Sequence, residues 1–183
     1  MMNRNNRQAL SWHRMAQTAC LLVCSLTGLN VTATTDTPRE LSFRHTHTGE
    51  SLTVVYWQNG QYRSDALESI NHFLRDFRTG DKAQMDPELL DLLYTVYDQT
   101  GSNGQFEIIS AYRSPKTNDM LRNRSNGVAK QSQHLLGKAI DVRLTDVPIE
   151  TIRRIAYKLG VGGVGFYTKS NFVHLDTGRF RTW

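Results

Sequence analysis

The sequence predicts an α+β domain: a small, mainly antiparallel sheet with helices packed on it. Three observations carry that expectation. Short apolar, strand-like segments are interspersed with segments of helical periodicity. Turn-prone residues separate several of the strands by distances that suit hairpins. The 183 residues are 39% hydrophobic and 21% charged, with no Gly/Ser/Pro linker, which fits one domain with one core.

In chain order, LSFRHTH (41–47) and SLTVVYW (51–57) read as strands joined by the turn TGE. Leu67, Ile70, Phe73, Leu74 and Phe77 recur at helical spacing, predicting a helix over 65–78 whose aromatic residues face the core. Asp86 followed by Pro87 is a cap with proline at the first helical position, opening a second helix through ELLDLLYTVYD. FEIIS is a short strand, and Ser114-Pro115 caps the short helix SPKTNDMLR. After a polar loop, KAIDVRL reads as a strand and PIETIRRIAYKLG as an amphipathic helix. A glycine-rich turn, GVGFY, then leads to a last strand, NFVHLD.

Residues 1–33 differ in kind. They hold Arg4, Arg7 and Arg14 and no acidic residue, and an apolar run follows Arg14 that ends in the small-x-small pattern Val31-Thr32-Ala33. This layout predicts a secretory signal peptide over 1–33 and an exported domain over 34–183, without stable membrane insertion after cleavage. A retained anchor is the alternative. Both cysteines, Cys20 and Cys24, fall inside the signal, so neither a disulfide nor a thiol nucleophile is expected in the mature domain. Losing 1–33 leaves 19 basic against 17 acidic side chains, a near balance that gives no case for a nucleic-acid partner.

The chemistry concentrates in SQHLLGKAIDV (132–142). Side chains alternate along a strand, so Ile140, Val142 and Leu144 share one face and Ala139, Asp141 and Arg143 the other. A buried aspartate needs hydrogen bonds, a counter-charge or a metal. His134 lies seven residues earlier, with Gly137 between them to let the backbone turn back. In the last strand Phe172, His174 and Asp176 share a face. Two histidines and one carboxylate are a common catalytic zinc set, with the fourth position open. By spacing alone, surface or hydrogen-bonded core histidines remain the alternative.

SQHLLGKAID matches Ser-x-His-x-x-Gly-x-Ala-x-Asp, and so resembles the first zinc motif of the D-alanyl-D-alanine metallopeptidases, which share a fold with lysostaphin-type peptidases and the hedgehog signalling domain. SAYRS (110–114) is similar to their Ser-Gly-Tyr-Arg-Ser segment, with Ala111 in place of glycine. HTGES, GVAK, GGVGFY and SNFVHLDTG bring the likeness nearest to exported murein endopeptidases of the MepK type. The resemblance implies a periplasmic zinc peptidase whose partner is peptidoglycan, cutting peptide cross-links. A carboxypeptidase trimming stem peptides, or a zinc-containing module that binds the wall without cutting it, is the alternative.

Carried over by motif, His134, Asp141 and His174 are the implied ligands of one Zn2+ per chain. Arg113 is implied to stabilise the oxyanion, Tyr112 to support the substrate, and Ser132 to support the substrate or a ligand, with a plain turn residue as the equal alternative for Ser132. The chain departs from the carboxypeptidases just before the last ligand, where Asn171 and Phe172 cannot take a proton. Asp176 is a candidate for holding the water or orienting His174. His45 and His47 are further candidates for the base, although exposed histidines on an edge strand are the expectation there. Gly160–Gly165 spells G-x-G-x-x-G, but with a helix before it and a strand after it, so no nucleotide is expected. Those glycines are expected to make a tight turn and let the backbone approach a ligand.

Overall fold

The computed structural model describes residues 37–124 and 127–183, so the expected signal peptide lies outside the described residues. Strands β1 (Arg39–His45) and β2 (Ser51–Gln58) form the expected antiparallel hairpin, with Phe43 opposite Leu52. A short β3 (Gln61–Tyr62) folds back on β2. Helices α1 (Ser64–Phe73) and α2 (Pro87–Thr100) follow. Asp86 caps α2 as its sequence predicts, its carboxylate accepting from Glu88 N at 3.1 Å. Next come β4 (Phe106–Ser110), α3 (Pro115–Arg124), β5 (Ala139–Leu144) and α4 (Ile149–Leu159). The chain ends with β6 (Gly163–Tyr167), β7 (Phe172–Asp176) and β8 (Arg181–Thr182).

The eight strands form one sheet in the order β3-β2-β1-β4-β5-β7-β6-β8. Only β1–β4 and β6–β8 pair in parallel, so the sheet is mainly antiparallel and the fold α+β. One apolar cluster joins sheet and helices. It includes Phe43, Ile108, Ile140 and Val142 from strands, and Ile70, Leu89, Leu93 and Ile152 from helices. Ile140, Val142 and Leu144 belong to this cluster, which leaves the alternate face of β5 for Asp141. No helix among the described residues is long and apolar enough to cross a membrane.

Three sequence expectations need correction. Helix α1 stops at Phe73 rather than continuing to 78. The backbone beyond it is claimed by the segment carrying Arg113: Tyr112 N donates to Leu74 O at 3.1 Å. Ser114 N and Oγ donate to Asp76 Oδ2 at 2.9 and 2.7 Å. Phe77 therefore leaves the core and stacks on His47, ring centroids 4.3 Å apart. The second correction concerns GVGFY, which is strand β6 rather than a turn. It lies between β7 and β8, and ladder bonds to both hold it extended. Thirdly, β1 is an interior strand, so His45 is buried, 1% exposed, against Phe73 and Phe77. Burial chiefly, with His47 adding to it, pushes the His45 imidazole below its usual pKa.

Asp76 ties this packing to pH. Burial is the largest single influence and pushes its carboxyl up. Hydrogen bonds from Thr117, Ser114 and the backbone N–H of Ser114 and Arg78 together outweigh it, holding the folded value below the ordinary range. A depressed folded pKa contributes stability that is fully present above the unfolded value of about 3.9 and is lost as pH falls through the folded value. Asp76→Asn is expected to cost about 1–3 kcal/mol at pH 7 and to flatten the loss of stability below about pH 4. Urea titrations of parent and variant at pH 7, 5 and 3 measure both; equal slopes below pH 4 would count against it.

Candidate metal centre

Asp141 and His174 reach the same spot because β5 and β7 pair antiparallel with these two residues directly opposite. Ala139 lies opposite Asp176 in the same ladder. His134 arrives from a single 3-10 turn, Gln133–Leu136, just before β5. Ser132 Oγ accepts from His134 N at 3.3 Å and so caps that turn. Gly137 ends it at φ +67°, where a Cβ would lie 2.3 Å from Gln84 O, so only glycine fits. All three side chains are buried, between 3% and 7% exposed, at the floor of an open cleft of about 520 Å³.

Outer partners set the protonation of both rings. His134 Nδ1 lies 2.7 Å from Ala111 O, a carbonyl that can only accept, so Nδ1 carries the hydrogen and Nε2 presents a lone pair. His174 Nε2 lies 2.9 Å from Asp176 Oδ2, so its hydrogen also points outward and Nδ1 faces in. The inward atoms are His134 Nε2, His174 Nδ1 and Asp141 Oδ1. Their separations are 3.2 Å between the nitrogens and 2.9 and 3.4 Å from Asp141 to His174 and His134. With neutral rings these are three acceptors facing one another, an arrangement that a cation between them would reconcile. Donor atoms about 2.0–2.1 Å from a tetrahedral metal lie about 3.3 Å apart, which matches the spacing found. The trio can hold a metal ion.

Charges in the site shift accordingly. Without a cation between them the rings can instead carry inward hydrogens. Burial then pushes the Asp141 carboxyl up, but a protonated His134 and hydrogen bonds from both protonated imidazoles overcome it and hold the group well below the usual carboxylate range. In that same protonated state burial lowers His174, yet the hydrogen bonds its two N–H groups donate to Asp141 and Asp176 more than offset that and raise it; a bound cation would take the place of the inward hydrogen.

A family model described as peptidoglycan L,D-endopeptidase MepK matches residues 33–183. The chain belongs to the MepK family. The peptidoglycan L,D-endopeptidase MepK of Escherichia coli K12 is 39% identical over 179 residues, covering 98% of this chain and 97% of the relative. A probable peptidoglycan L,D-endopeptidase MepK of Haemophilus influenzae is 38% identical over 182 residues, covering 99% and 96%. The solved L-Ala D-Glu endopeptidase ChiX of Serratia marcescens covers 62% of this chain and 87% of its own, at 17% identity and a TM-score of 0.39, too distant to inform the site.

Beyond the trio, this MepK-family chain sorts its sequence-predicted residues as follows. Arg113 lines the cleft beside the three donors and is 9% exposed. Its Nε has no hydrogen-bond partner among the described residues, and its N–H to Asn118 Oδ1 is long, 3.4 Å. Burial lowers its pKa while Asp141 raises it, with a net fall. A buried guanidinium with an unused donor is suited to a substrate oxygen. Ser132 also lines the cleft, and its oxygen accepts the turn-capping bond while its O–H stays available to donate. Tyr112 is outside the cleft lining and packs on the core. His45 and His47 pair with Phe77 away from the lining residues.

Asp176 is 0% exposed and fully engaged. Oδ1 accepts from Gly163 N, Gly178 N and Arg181 at 2.8–3.0 Å. Oδ2 accepts from Arg181 at 2.6 Å and from His174. Burial is the largest single influence and pushes its carboxyl up, but these bonds, those from His174 and Arg181 foremost, together outweigh it and hold the group well below the usual range. Five hydrogen bonds thus converge on Asp176, one of them from His174.

The sequence reading missed Tyr167, Phe172, Arg181 and Trp183, all of which line the cleft. The Trp183 ring lies 5.1 Å from that of His174. The glycine run carried the overlooked signal: a Cβ on Gly162 would lie 1.5 Å from Asp176 O, and one on Gly165 would meet the Trp183 ring at 2.7 Å. The glycines make room for the chain's own Asp176 and Trp183, rather than for a bound ligand.

Proposed function

We propose that this chain is an exported, zinc-dependent endopeptidase that cuts an L,D peptide bond in cross-linked peptidoglycan. The observation that carries the reading is the convergence of two imidazole lone pairs and one carboxylate at the floor of a cleft beside a buried arginine. The family and its relatives' names supply the substrate class, and the signal-like residues 1–33 support export.

His134 Nε2, Asp141 Oδ1 and His174 Nδ1 would hold the zinc. Zinc bound there supplies a Lewis acid that polarises the scissile carbonyl and lowers the pKa of water to about 7. The Ala111 carbonyl and Asp176 keep both rings turned inward in the tautomer that offers a lone pair. Arg113, itself largely buried, presents a fixed positive charge to the carbonyl oxygen as it becomes an oxyanion. Asp76 and the His134 carbonyl, which accepts from Arg113 N at 3.1 Å, hold the backbone carrying that charge.

The test is a digest of purified cross-linked muropeptide dimers and of tetrapeptide monomers, read by mass spectrometry. Dimers are expected to be cut by the zinc-loaded protein, silent after chelation and cut again after zinc is restored. Monomers shortened while dimers stay intact would make it a carboxypeptidase instead. The full engagement of Asp176, which removes it as a base, favours a second reading: wall-peptide binding without cleavage. Zinc-loaded protein that retains dimers without turnover would establish that alternative.

A further inference from the structure

We propose that Tyr167 is a second catalytic hydrogen-bond donor, holding the scissile carbonyl oxygen together with Arg113. This rests on the peptidase reading above and extends it to a residue on a different element. Tyr167 ends β6 and lines the cleft that holds Arg113 and the three donor side chains. Two contacts fix its ring. Its face stacks on Phe172, with centroids 4.5 Å apart and planes 19° apart, and its oxygen lies 2.8 Å from Trp183 Nε1.

The second contact determines what the hydroxyl can do. An indole N–H only donates, so the Tyr167 oxygen is the acceptor and its own hydrogen is free for another group. Among the described residues no protein atom accepts that hydrogen. Phe172 and Trp183 flank the phenol and also line the cleft, so a substrate peptide lying there meets the remaining O–H. Arg113 lines the same cleft. Two donors from separate elements, one cationic and one neutral, thus line the cleft that also holds the metal-binding trio. The group there that gains negative charge during peptide cleavage is the carbonyl oxygen, and donors fixed in advance stabilise it without reorganising. No proton transfer is required of the phenol, only a hydrogen bond that shortens as charge develops.

Tyr167→Phe keeps the stacked ring and deletes the hydroxyl. Trp183 is 50% exposed, so water can replace the lost acceptor of its N–H. In the zinc-loaded full chain acting on purified muropeptide dimers, kcat is expected to fall about 100-fold with KM changed less than about threefold. Zinc affinity, measured by chelator competition, is expected to match the parent. A kcat within threefold of the parent overturns the role, as does a raised KM at unchanged kcat. Weakened zinc binding also overturns it, because the hydroxyl would then support the metal site. Failure of the peptidase reading shows separately, as no turnover by the zinc-loaded parent, and would remove this role with it.

Discussion

His134→Ala is expected to abolish both zinc retention and cleavage of cross-linked dimers. Three donors converge on one point, and removing one leaves His174 and Asp141, too few for a tight site that must also keep a position open. The loss of activity should be at least about 1000-fold, since the Lewis acid contributes several kcal/mol to the barrier. The ring also packs in a buried position and donates to Ala111 O, so the apo variant should be checked by circular dichroism before its activity is compared. Metal analysis by mass spectrometry and a dimer digest give the two readouts. A folded variant that cuts dimers without metal would end the metallopeptidase reading.

Asp176→Asn is expected to have the second largest effect, without touching a metal-binding atom. The carboxylate can only accept, which forces the His174 hydrogen onto Nε2 and leaves Nδ1 free to bind. An amide in its place can donate through its NH2 group, which favours the opposite tautomer and turns an N–H into the site. It also leaves Arg181 without its charge partner. Zinc affinity is expected to fall about 10- to 100-fold, with kcat/KM at limiting zinc falling alongside it. Arg181 is one-third exposed, so the stability loss should be modest, about 1–3 kcal/mol. Saturating zinc should restore much of the activity of Asp176→Asn and none of that of His134→Ala. If saturating zinc leaves Asp176→Asn inactive, the carboxylate has a role in the reaction beyond orienting the ring.

Arg181 and Trp183 show how far this support extends. Arg181 closes over Asp176 from β8, and its guanidinium lies 5.0 Å from the centre of the Trp183 ring, which in turn lies beside His174. A short parallel strand at the edge of the sheet thus reaches the donor trio through two side chains. Nothing in the local pattern of GRFRTW announces that connection. The residues become informative only once β8 is placed against β6 and the missing Cβ of Gly165 leaves room for the indole.

The sequence by itself determined the hairpin of β1 and β2, the cap of α2, the two faces of β5 and β7, and a list of candidate donors that included His134, Asp141 and His174. These follow from local rules: side chains alternate with a period of two, and caps and turns are specified within a few residues. Only the tertiary structure decided which candidates meet. The β5–β7 register sets Asp141 opposite His174, and a one-residue slip would have turned His174 to the other face. The early end of α1 was settled in the same way, by a partner 38 residues away in the chain, and the extended conformation of β6 by its pairing with the following strand β7 and with β8 beyond it. Local periodicity reports which face a residue occupies, but the partner on that face comes from long-range pairing. In this chain the tautomer of each histidine, and so its capacity to bind a metal, depends on that partner.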